Sequence, residues 1–169
     1  ILDNLIHSIN DVDDPTFLDY DYIRIYEELV SWQMRSRTSV DALFIGGGGY
    51  TFPRYMEAAY PGARIDVVEI DPEVTRVVYE YLGLTRTTSI RSFNEDGRWF
   101  VMNSKDKGRY DFIFGDAFND LSIPYHLTTR EFAQQMKALL KPDGFLIANL
   151  IDSVTEGLFL PSYIRTLED

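Results

Sequence analysis

The sequence predicts an α/β domain built around a doubly wound, mostly parallel β-sheet, and two observations support this fold class. First, an apolar run over Ala42–Ile45 passes directly into four glycines, Gly46–Gly49, and a second apolar run from Ile65 ends in acid at Glu69 and Asp71. Second, strand-like and helix-like segments alternate five times after residue 40. Parallel strands need helical crossovers that cover both faces of the sheet, so this alternation is typical of a Rossmann-like domain.

The strand–glycine–helix–strand unit also indicates a ligand. Glycine lets a backbone turn sharply and approach a ligand without a Cβ in the way. In βαβ units of this kind, a carboxylate about 20 residues further on accepts hydrogen bonds from ribose hydroxyls. We therefore expect a nucleoside cofactor beside Gly46, Gly47 and Gly48, with Glu69 as its ribose ligand. A flexible turn without a ligand is the simpler alternative for the glycines.

The N-terminal part is expected to form a short β segment and turn over residues 1–16, followed by the Rossmann-like domain over residues 17–169. Paired apolar positions in residues 1–9 are typical of one or two short strands. Asp14 and Pro15 then make a helix start, and the spacing predicts a helix over Phe17–Met34. Its buried face is expected to carry the apolar residues at helical intervals, namely Leu18, Tyr22, Ile25, Leu29 and Trp32.

The later elements are predicted from apolar runs and from helix-capping residues. Strands are expected over Ser89–Ser92, Tyr110–Gly115 and Phe145–Leu150. Helices are expected over Thr51–Tyr60, from a cap at Asp71 to Gly83, after Asp96–Gly97, from Thr128 or Thr129 to Leu140, and again from Ser153. A doubly wound sheet needs further strands to close it, and we expect these beyond residue 169.

The composition limits the classes of function. The 169 residues carry a net charge of −11, which disfavours binding to nucleic acid and suits a cationic substrate. Acidity that only keeps the protein in solution is the alternative explanation. The chain has no cysteine, and its two histidines, His7 and His126, lie far apart in sequence, so no metal site is expected.

The location of the protein is predicted from the absence of targeting signals. No apolar run approaches the roughly 20 residues that cross a bilayer, and the first residues lack the basic region of a signal peptide. A cytoplasmic location is therefore expected. The chain has no initiator methionine, so we expect it to be part of a longer protein. Membrane attachment of that protein and formation of a homodimer are left open.

Seven motifs occur in one order over nearly the whole chain. They are LDNLIHS (2–8), FIGGGGYTFPR (44–54), VVEIDPEV (67–74), EDGRWF (95–100), YDFIFGDAFND (110–120), HLTTREF (126–132) and LLKPDGFLIANL (139–150). In order and spacing they resemble the spermidine synthase family, polyamine aminopropyltransferases with the fold of S-adenosylmethionine-dependent methyltransferases. The resemblance implies transfer of an aminopropyl group from decarboxylated S-adenosylmethionine to a di- or polyamine, without a metal. The glycine and EIDP motifs alone would suit any methyltransferase of this fold.

The resemblance also implies how the cofactor is held. Glu69 would bind the ribose hydroxyls. Asp96 and Gly97 would lie beside the adenine, with the Asp96 carboxylate accepting a hydrogen bond from the exocyclic amine. These roles agree with the nucleoside site that the glycine unit predicts.

Aminopropyl transfer needs a neutral attacking amine, whereas free amines have a pKa of about 10 and are protonated near pH 7. A carboxylate must therefore take the proton, and other groups must hold the remaining ammonium. Asp116 is expected to be this base, because active sites of open α/β sheets lie at the carboxyl ends of strands; a capping role is its alternative. Asp120 is expected to bind the distal ammonium, or only to form an Asx turn. Tyr26 and His7 are placed near the substrate by the resemblance.

The chain departs from the family pattern on the amine side of the site. Gly49 stands where the family's glycine loop has an aspartate that contacts the aminopropyl amine. His7 stands where the family has a glutamine, and Asn119 where it has a second aspartate. The cofactor contacts are thus intact and the amine contacts are reduced. A methyltransferase that uses S-adenosylmethionine itself, and a noncatalytic domain of the same fold, are the alternatives.

Overall fold

A computed structural model describes residues 8–35, 37, 39–118, 122–153 and 155–168. Its strands are β1 (Asp41–Ile45), β2 (Arg64–Val68), β3 (Arg91–Phe93), β4 (Tyr110–Gly115) and β5 (Leu140–Ala148). Its helices are α1 (Asp21–Met34), α2 (Thr51–Ala59), α3 (Pro72–Tyr81), α4 (Gly97–Asn103), α5 (Arg130–Leu139) and α6 (Phe159–Glu168), with a 3₁₀ turn at Tyr125–Leu127. The strands form one parallel sheet in the order β3-β2-β1-β4-β5, which confirms the predicted α/β fold class.

Helices cover both faces of this sheet. Alternate residues of a strand face opposite sides, so Phe44 and Phe114, whose rings stack 4.5 Å apart, face the layer formed by α1, α2 and α3. Leu43 and Ile113 face the layer formed by α4 and α5. Burial on both sides explains why β1 and β4 consist of nearly continuous apolar runs.

The first helix differs from the prediction in its start and in its buried face. It begins at Asp21 rather than Phe17, and the predicted start at Asp14 is a local turn in which that carboxylate accepts a hydrogen bond from the Thr16 amide. The buried residues are Ile23, Tyr26, Val30 and Met34, whereas Ile25, Leu29 and Trp32 are exposed. The helix carries two adjacent apolar stripes. The stripe that contains Tyr26 packs into the core, where the ring centroids of Tyr26 and Phe114 are 5.1 Å apart.

Two of the predicted helix caps are confirmed, whereas the bounds of the last strand differ from the prediction. Asp71 caps α3 by accepting a hydrogen bond from the Glu73 amide at 2.8 Å, and Thr129 caps α5, both as predicted. The last strand, by contrast, is Leu140–Ala148 rather than Phe145–Leu150. Leu140 already pairs with Tyr110, and an irregularity in the β4–β5 ladder lies between this pair and the next one, Phe112 with Phe145.

Two predictions concern the ends of the chain. Residues 1–7 of the expected N-terminal β segment lie outside the described residues, and residues 8–16 form no strand. The division between residues 16 and 17 and the strands expected beyond residue 169 stay predictions.

A network of buried charges lies towards the amino-terminal ends of the strands, at the opposite edge of the sheet from the predicted site. Its carboxylates belong to Asp41, Asp66 and Asp111, and each residue is at most 3% exposed. Arg64 binds Asp41 through two hydrogen bonds of 2.6 and 2.7 Å, and Lys141 bridges Asp41 and Asp111. Such cations offset the cost of burying carboxylates. Local sequence patterns give no indication of this network, because its members belong to different strands.

Candidate active site at the carboxyl ends of the strands

A cavity of about 700 Å³ opens at the carboxyl ends of β1, β2 and β4, where open α/β sheets bind ligands. It is lined by the predicted site residues that the structure describes, namely Gly46, Gly47, Gly48, Glu69, Asp96, Gly97, Asp116 and Tyr26. The predicted substrate contacts His7 and Asp120, together with Asn119, lie outside the described residues. Tertiary structure thus brings residues from separate elements into one cavity.

The glycine loop, Gly46–Gly49, begins with a residue that must lack a side chain. Gly46 has a φ of +97°, and a Cβ there would lie 2.5 Å from the main-chain carbonyl oxygen of Asp116. The Gly46 amide donates to the Val68 carbonyl, and the Asp116 amide donates to the Ile45 carbonyl, both at 2.9 Å. The end of β4, and with it Asp116, therefore lies directly against the glycine loop.

Side chains of the protein satisfy the other amides of this loop. Glu69 Oε2 accepts hydrogen bonds from the amides of Gly47 at 2.8 Å and Gly48 at 3.3 Å. Ser8 Oγ accepts one from the Gly49 amide at 2.8 Å. Phosphate-binding loops instead point their amides at the anion. This arrangement therefore disfavours a phosphate group at the loop.

Glu69, the predicted ribose ligand, can hold the glycine loop and bind a ligand at the same time. It lines the cavity although only 8% of the residue is exposed. A carboxylate oxygen has about two lone-pair sites, so Oε2 is occupied by the two loop amides. Oε1 accepts a hydrogen bond from the Asp71 amide at 2.9 Å and keeps a site for another donor. The carboxylate can therefore shape the loop and accept a ribose hydroxyl at once.

Residues 8–12, called the N-terminal strap below, lie across the glycine loop and the start of α2. Asn10 Nδ2 donates to the Gly49 carbonyl at 2.6 Å, and the Thr51 hydroxyl donates to Asn10 Oδ1. The buried guanidinium of Arg54 donates to the Asp11 carbonyl at 3.1 Å. Sequence reasoning missed the strap because these partners are 39 to 43 residues apart and form no local pattern.

Asp116, the predicted catalytic carboxylate, is held by a donor on each oxygen. The Tyr22 hydroxyl donates to Oδ2 at 3.3 Å, and the Asn149 side-chain amide donates to Oδ1 at 3.0 Å. Burial, together with the neighbouring Asp116, raises the pKa of Tyr22, so its hydroxyl stays protonated and remains a donor. The sequence did not reveal either contact.

Tyr26 offers a polar group to the cavity. Its residue is 5% exposed, and its hydroxyl has no hydrogen-bond partner among the described residues. The ring packs edge-on against that of Tyr22, with centroids 5.5 Å apart. Burial raises the pKa of Tyr26, and Asp116 adds to this effect. A buried polar group without a partner costs about 1–3 kcal/mol, so a hydrogen bond between this hydroxyl and a ligand would remove that cost.

Asp96 caps α4 and contacts His126 inside the same cavity. Its Oδ1 accepts a hydrogen bond from the Trp99 amide at 2.9 Å, and its Oδ2 lies 2.9 Å from His126 Nε2. Partial burial acts to raise the pKa of Asp96, but the Trp99 amide and His126 outweigh it and hold this pKa below its ordinary value. Asp96 is therefore an ionised acceptor, as the predicted adenine contact requires. The sequence gives no indication of this contact between His126 and Asp96.

The part of the chain that the structure describes contains neither a metal site nor a membrane-spanning helix. Residues 8–168, without the gaps given above, contain no group of three His, Cys, Asp or Glu side chains placed to hold a metal ion. In the same part of the chain, every helix is too short or too polar to cross a membrane. The cytoplasmic location stays a prediction, and the homodimer stays open.

Comparison with known proteins gives matches in sequence. The family model of the spermine/spermidine synthase domain matches residues 25–157. The polyamine aminopropyltransferase of Vibrio vulnificus is 41% identical over 108 residues, which are 63% of this chain and 36% of that protein. The range of the family model includes the glycine loop, Glu69 and Asp116.

Two solved structures resemble the chain in fold. A probable spermidine synthase from Corynebacterium glutamicum has a TM-score of 0.73 at 27% identity, covering 80% of this chain and 50% of that one. Human methyltransferase-like protein 13, solved in complex with SAH, has a TM-score of 0.76 at 21% identity, covering 89% and 72%. Because the human protein is only 21% identical in sequence, its similarity shows a shared fold and nothing more. The chain thus spans 36% of the Vibrio protein and 50% of the corynebacterial one.

Proposed function

Because the chain belongs to the spermine/spermidine synthase family, we propose that it transfers an aminopropyl group from decarboxylated S-adenosylmethionine to a di- or polyamine. One observation carries this proposal. Acidic side chains line the cavity beside a glycine loop whose amides are already satisfied by Glu69 and Ser8. Such a site favours a cationic nucleoside without phosphate groups, and a sulfonium nucleoside has this chemistry.

The residues proposed to bind the cofactor line the cavity. Glu69 accepts a hydrogen bond from a ribose hydroxyl through Oε1, since Oε2 holds the loop. Asp96 accepts a hydrogen bond from the adenine amine. Gly46, Gly47 and Gly48 allow the nucleoside to approach the backbone closely.

The proposed reaction is a displacement at the carbon next to the sulfonium sulfur. The lone pair of the amine nitrogen forms the new C–N bond. The C–S bond breaks, and its electron pair goes to sulfur, which leaves as neutral methylthioadenosine. The proton lost by the nitrogen goes to the Asp116 carboxylate. Alignment of nitrogen, carbon and sulfur in the cavity supplies most of the acceleration.

The amine is proposed to bind beside the tyrosines at the start of α1. Tyr20, Tyr22 and Tyr26 line the cavity, with successive ring centroids 6.0 and 5.5 Å apart. Aromatic faces attract an ammonium group, and the net charge of −11 raises the local concentration of cations. His7 and Asp120 are proposed as further contacts to the amine.

The proposal is tested by incubating the protein with decarboxylated S-adenosylmethionine and a series of diamines, and by following methylthioadenosine and the new polyamine by mass spectrometry. We expect transfer to at least one diamine. The apparent second-order rate constant should fall as salt rises, because the Debye length shrinks from about 30 Å at 0.01 M to about 3 Å at 1 M. A protein that binds methylthioadenosine but forms no product with any diamine would contradict the proposal.

Methyl transfer from S-adenosylmethionine is the second candidate, and one observation favours it. The neutral Ser8 hydroxyl contacts the loop at Gly49, where the family has an aspartate. Without that charge, the carboxylate of S-adenosylmethionine meets less repulsion. Parallel calorimetric titrations with S-adenosylmethionine, its decarboxylated form and methylthioadenosine distinguish the candidates. A chain that binds none of them is noncatalytic.

A further inference from the structure

We propose that Tyr22 is a positioning residue, whose hydroxyl orients the Asp116 carboxylate for its reaction with the amine proton. The inference rests on the proposed function in taking Asp116 as the base. Sequence patterns place Tyr22 in an apolar stripe of α1, and they give no contact between Tyr22 and Asp116.

The geometry shows a carboxylate held from two sides. Tyr22, in the first turn of α1, donates to Asp116 Oδ2 at 3.3 Å. Asn149, which follows β5, donates to Oδ1 at 3.0 Å. Because the two donors belong to different elements and bind different oxygens, rotation of the carboxylate would break one hydrogen bond or both. The plane of the carboxylate is therefore set before the substrate binds.

The hydroxyl groups of Tyr22 and Tyr26 differ in their hydrogen bonding. They lie one helical turn apart on α1, and their rings are in edge-on contact. The Tyr22 hydroxyl is bound to Asp116, whereas that of Tyr26 has no partner among the described residues. Tyr22 thus acts on the reaction through Asp116, and Tyr26 is available to the substrate itself.

A donor to a carboxylate stabilises its ionised form, so loss of the Tyr22 hydroxyl should make Asp116 easier to protonate. The other titratable groups that line the cavity are Tyr20 and Tyr26 at the start of α1, Glu69, Asp71 and Glu73 after β2, and Asp96 and His126. Tyr22→Phe changes none of these groups. A change in the titration of Asp116 therefore reports the lost hydrogen bond.

The experiment compares wild type with Tyr22→Phe by ¹³C NMR titration of the Asp116 carboxyl carbon, assigned by its absence from Asp116→Asn. We expect the midpoint to rise by about one pH unit. The acid limb of the kcat profile should move in the same direction. At its plateau, kcat should fall about tenfold while the KM for the amine changes less than about twofold, since orientation rather than binding is lost.

Two matched variants serve as controls. Tyr26→Phe should raise the KM for the amine and leave the Asp116 midpoint in place. Tyr55→Phe removes a hydroxyl outside the cavity, which contacts Glu27 at 3.4 Å, and should leave the midpoint unchanged. Tyr22→Leu, which also lacks the hydroxyl, repeats the titration if Tyr22→Phe does not fold.

An unchanged midpoint in a folded Tyr22 variant would overturn the proposal, as would an equal rise in Tyr55→Phe. If the wild type transfers no aminopropyl group, the proposed function fails. The NMR titration still decides in that case whether Tyr22 holds Asp116.

Discussion

Ser8 occupies the space that a side chain at position 49 would need. Its Oγ accepts a hydrogen bond from the Gly49 amide at 2.8 Å, and a Cβ on Gly49 would lie 2.6 Å from that oxygen. Position 49 is therefore coupled to the N-terminal strap. Gly49→Asp alone would restore the family's loop in sequence, but not in space.

We therefore expect Gly49→Asp alone to destabilise the protein, whereas Ser8→Gly/Gly49→Asp should have room for the new side chain. In the double variant, decarboxylated S-adenosylmethionine should bind more tightly and S-adenosylmethionine less tightly. The ratio of their dissociation constants should change by about tenfold, equivalent to about 1.4 kcal/mol. Calorimetry measures both affinities, with Ser8→Gly as the control. An unchanged ratio in a folded double variant would show that position 49 does not affect the cofactor tail.

Glu69→Ala should weaken nucleoside binding and also lower thermal stability. The lost hydrogen bonds to a charged group are worth about 1.5–3 kcal/mol, which corresponds to roughly tenfold to a hundredfold in affinity. Stability should fall because the amides of Gly47 and Gly48 lose their acceptor. Titration with methylthioadenosine and a melting curve measure the two effects. Glu73→Ala, which removes another acid from the cavity wall, is the control; equal losses in both variants would argue against a specific ribose contact.

Asp116→Asn should retain the shape of the side chain and lose the proton acceptor. Loss of general base catalysis typically reduces turnover by about 10²–10⁴. The affinity for methylthioadenosine should stay close to that of wild type, because Asp116 is proposed to act on the amine. Transfer rates and calorimetry together test this. A variant that turns over at nearly the wild-type rate would leave Asp116 with a structural role only.

Arg64→Met should lower stability in a pH-dependent manner. Burial acts to raise the pKa of Asp41, but Arg64 and Lys141 outweigh it and hold the pKa below the ordinary 3.8. A carboxyl with a depressed pKa contributes stability above its ordinary pKa, and this stability is lost as pH falls through the folded-state value. The Tm should therefore drop by about 2–4 °C at neutral pH, for a loss of about 1 kcal/mol.

The difference in Tm between wild type and Arg64→Met should shrink as pH falls below 3.8. Arg76→Met is the matched control, because Arg76 pairs with Glu73 and Glu80 on the exposed surface of α3. Exposed pairs contribute little, so its Tm should stay near that of wild type. A difference for Arg64→Met that persists unchanged at low pH would contradict the role of Asp41.

Local patterns in the sequence were sufficient for β1, the glycine loop and β4. Strand formation, the conformational freedom of glycine and helix capping depend on a few neighbouring residues. Chain order then places Glu69 and Asp116 at the carboxyl ends of strands, where the structure has them. The predicted fold class followed from these same elements.

The buried face of α1 could not be predicted in this way. Its sequence carries two apolar stripes at helical spacing, and periodicity gives both the same weight. Tyr26 is buried because its ring fits against Phe52 and Phe114, at 5.6 and 5.1 Å. Trp32 of the other stripe is 55% exposed.

The sequence by itself determined the central strands of the sheet and the acids that follow β2 and β4, and the tertiary structure decided which residues meet. Three pairs that are in contact in the structure are far apart in sequence. The separation is 94 residues for Tyr22 and Asp116, 41 for Ser8 and Gly49, and 30 for Asp96 and His126. Hydrophobic periodicity tells which face of an element is apolar, but it carries no information on which element packs against that face. The order of the strands, the packing of α1 on the sheet and the position of the strap over the glycine loop and α2 supply that information, and the contacts of the site depend on it.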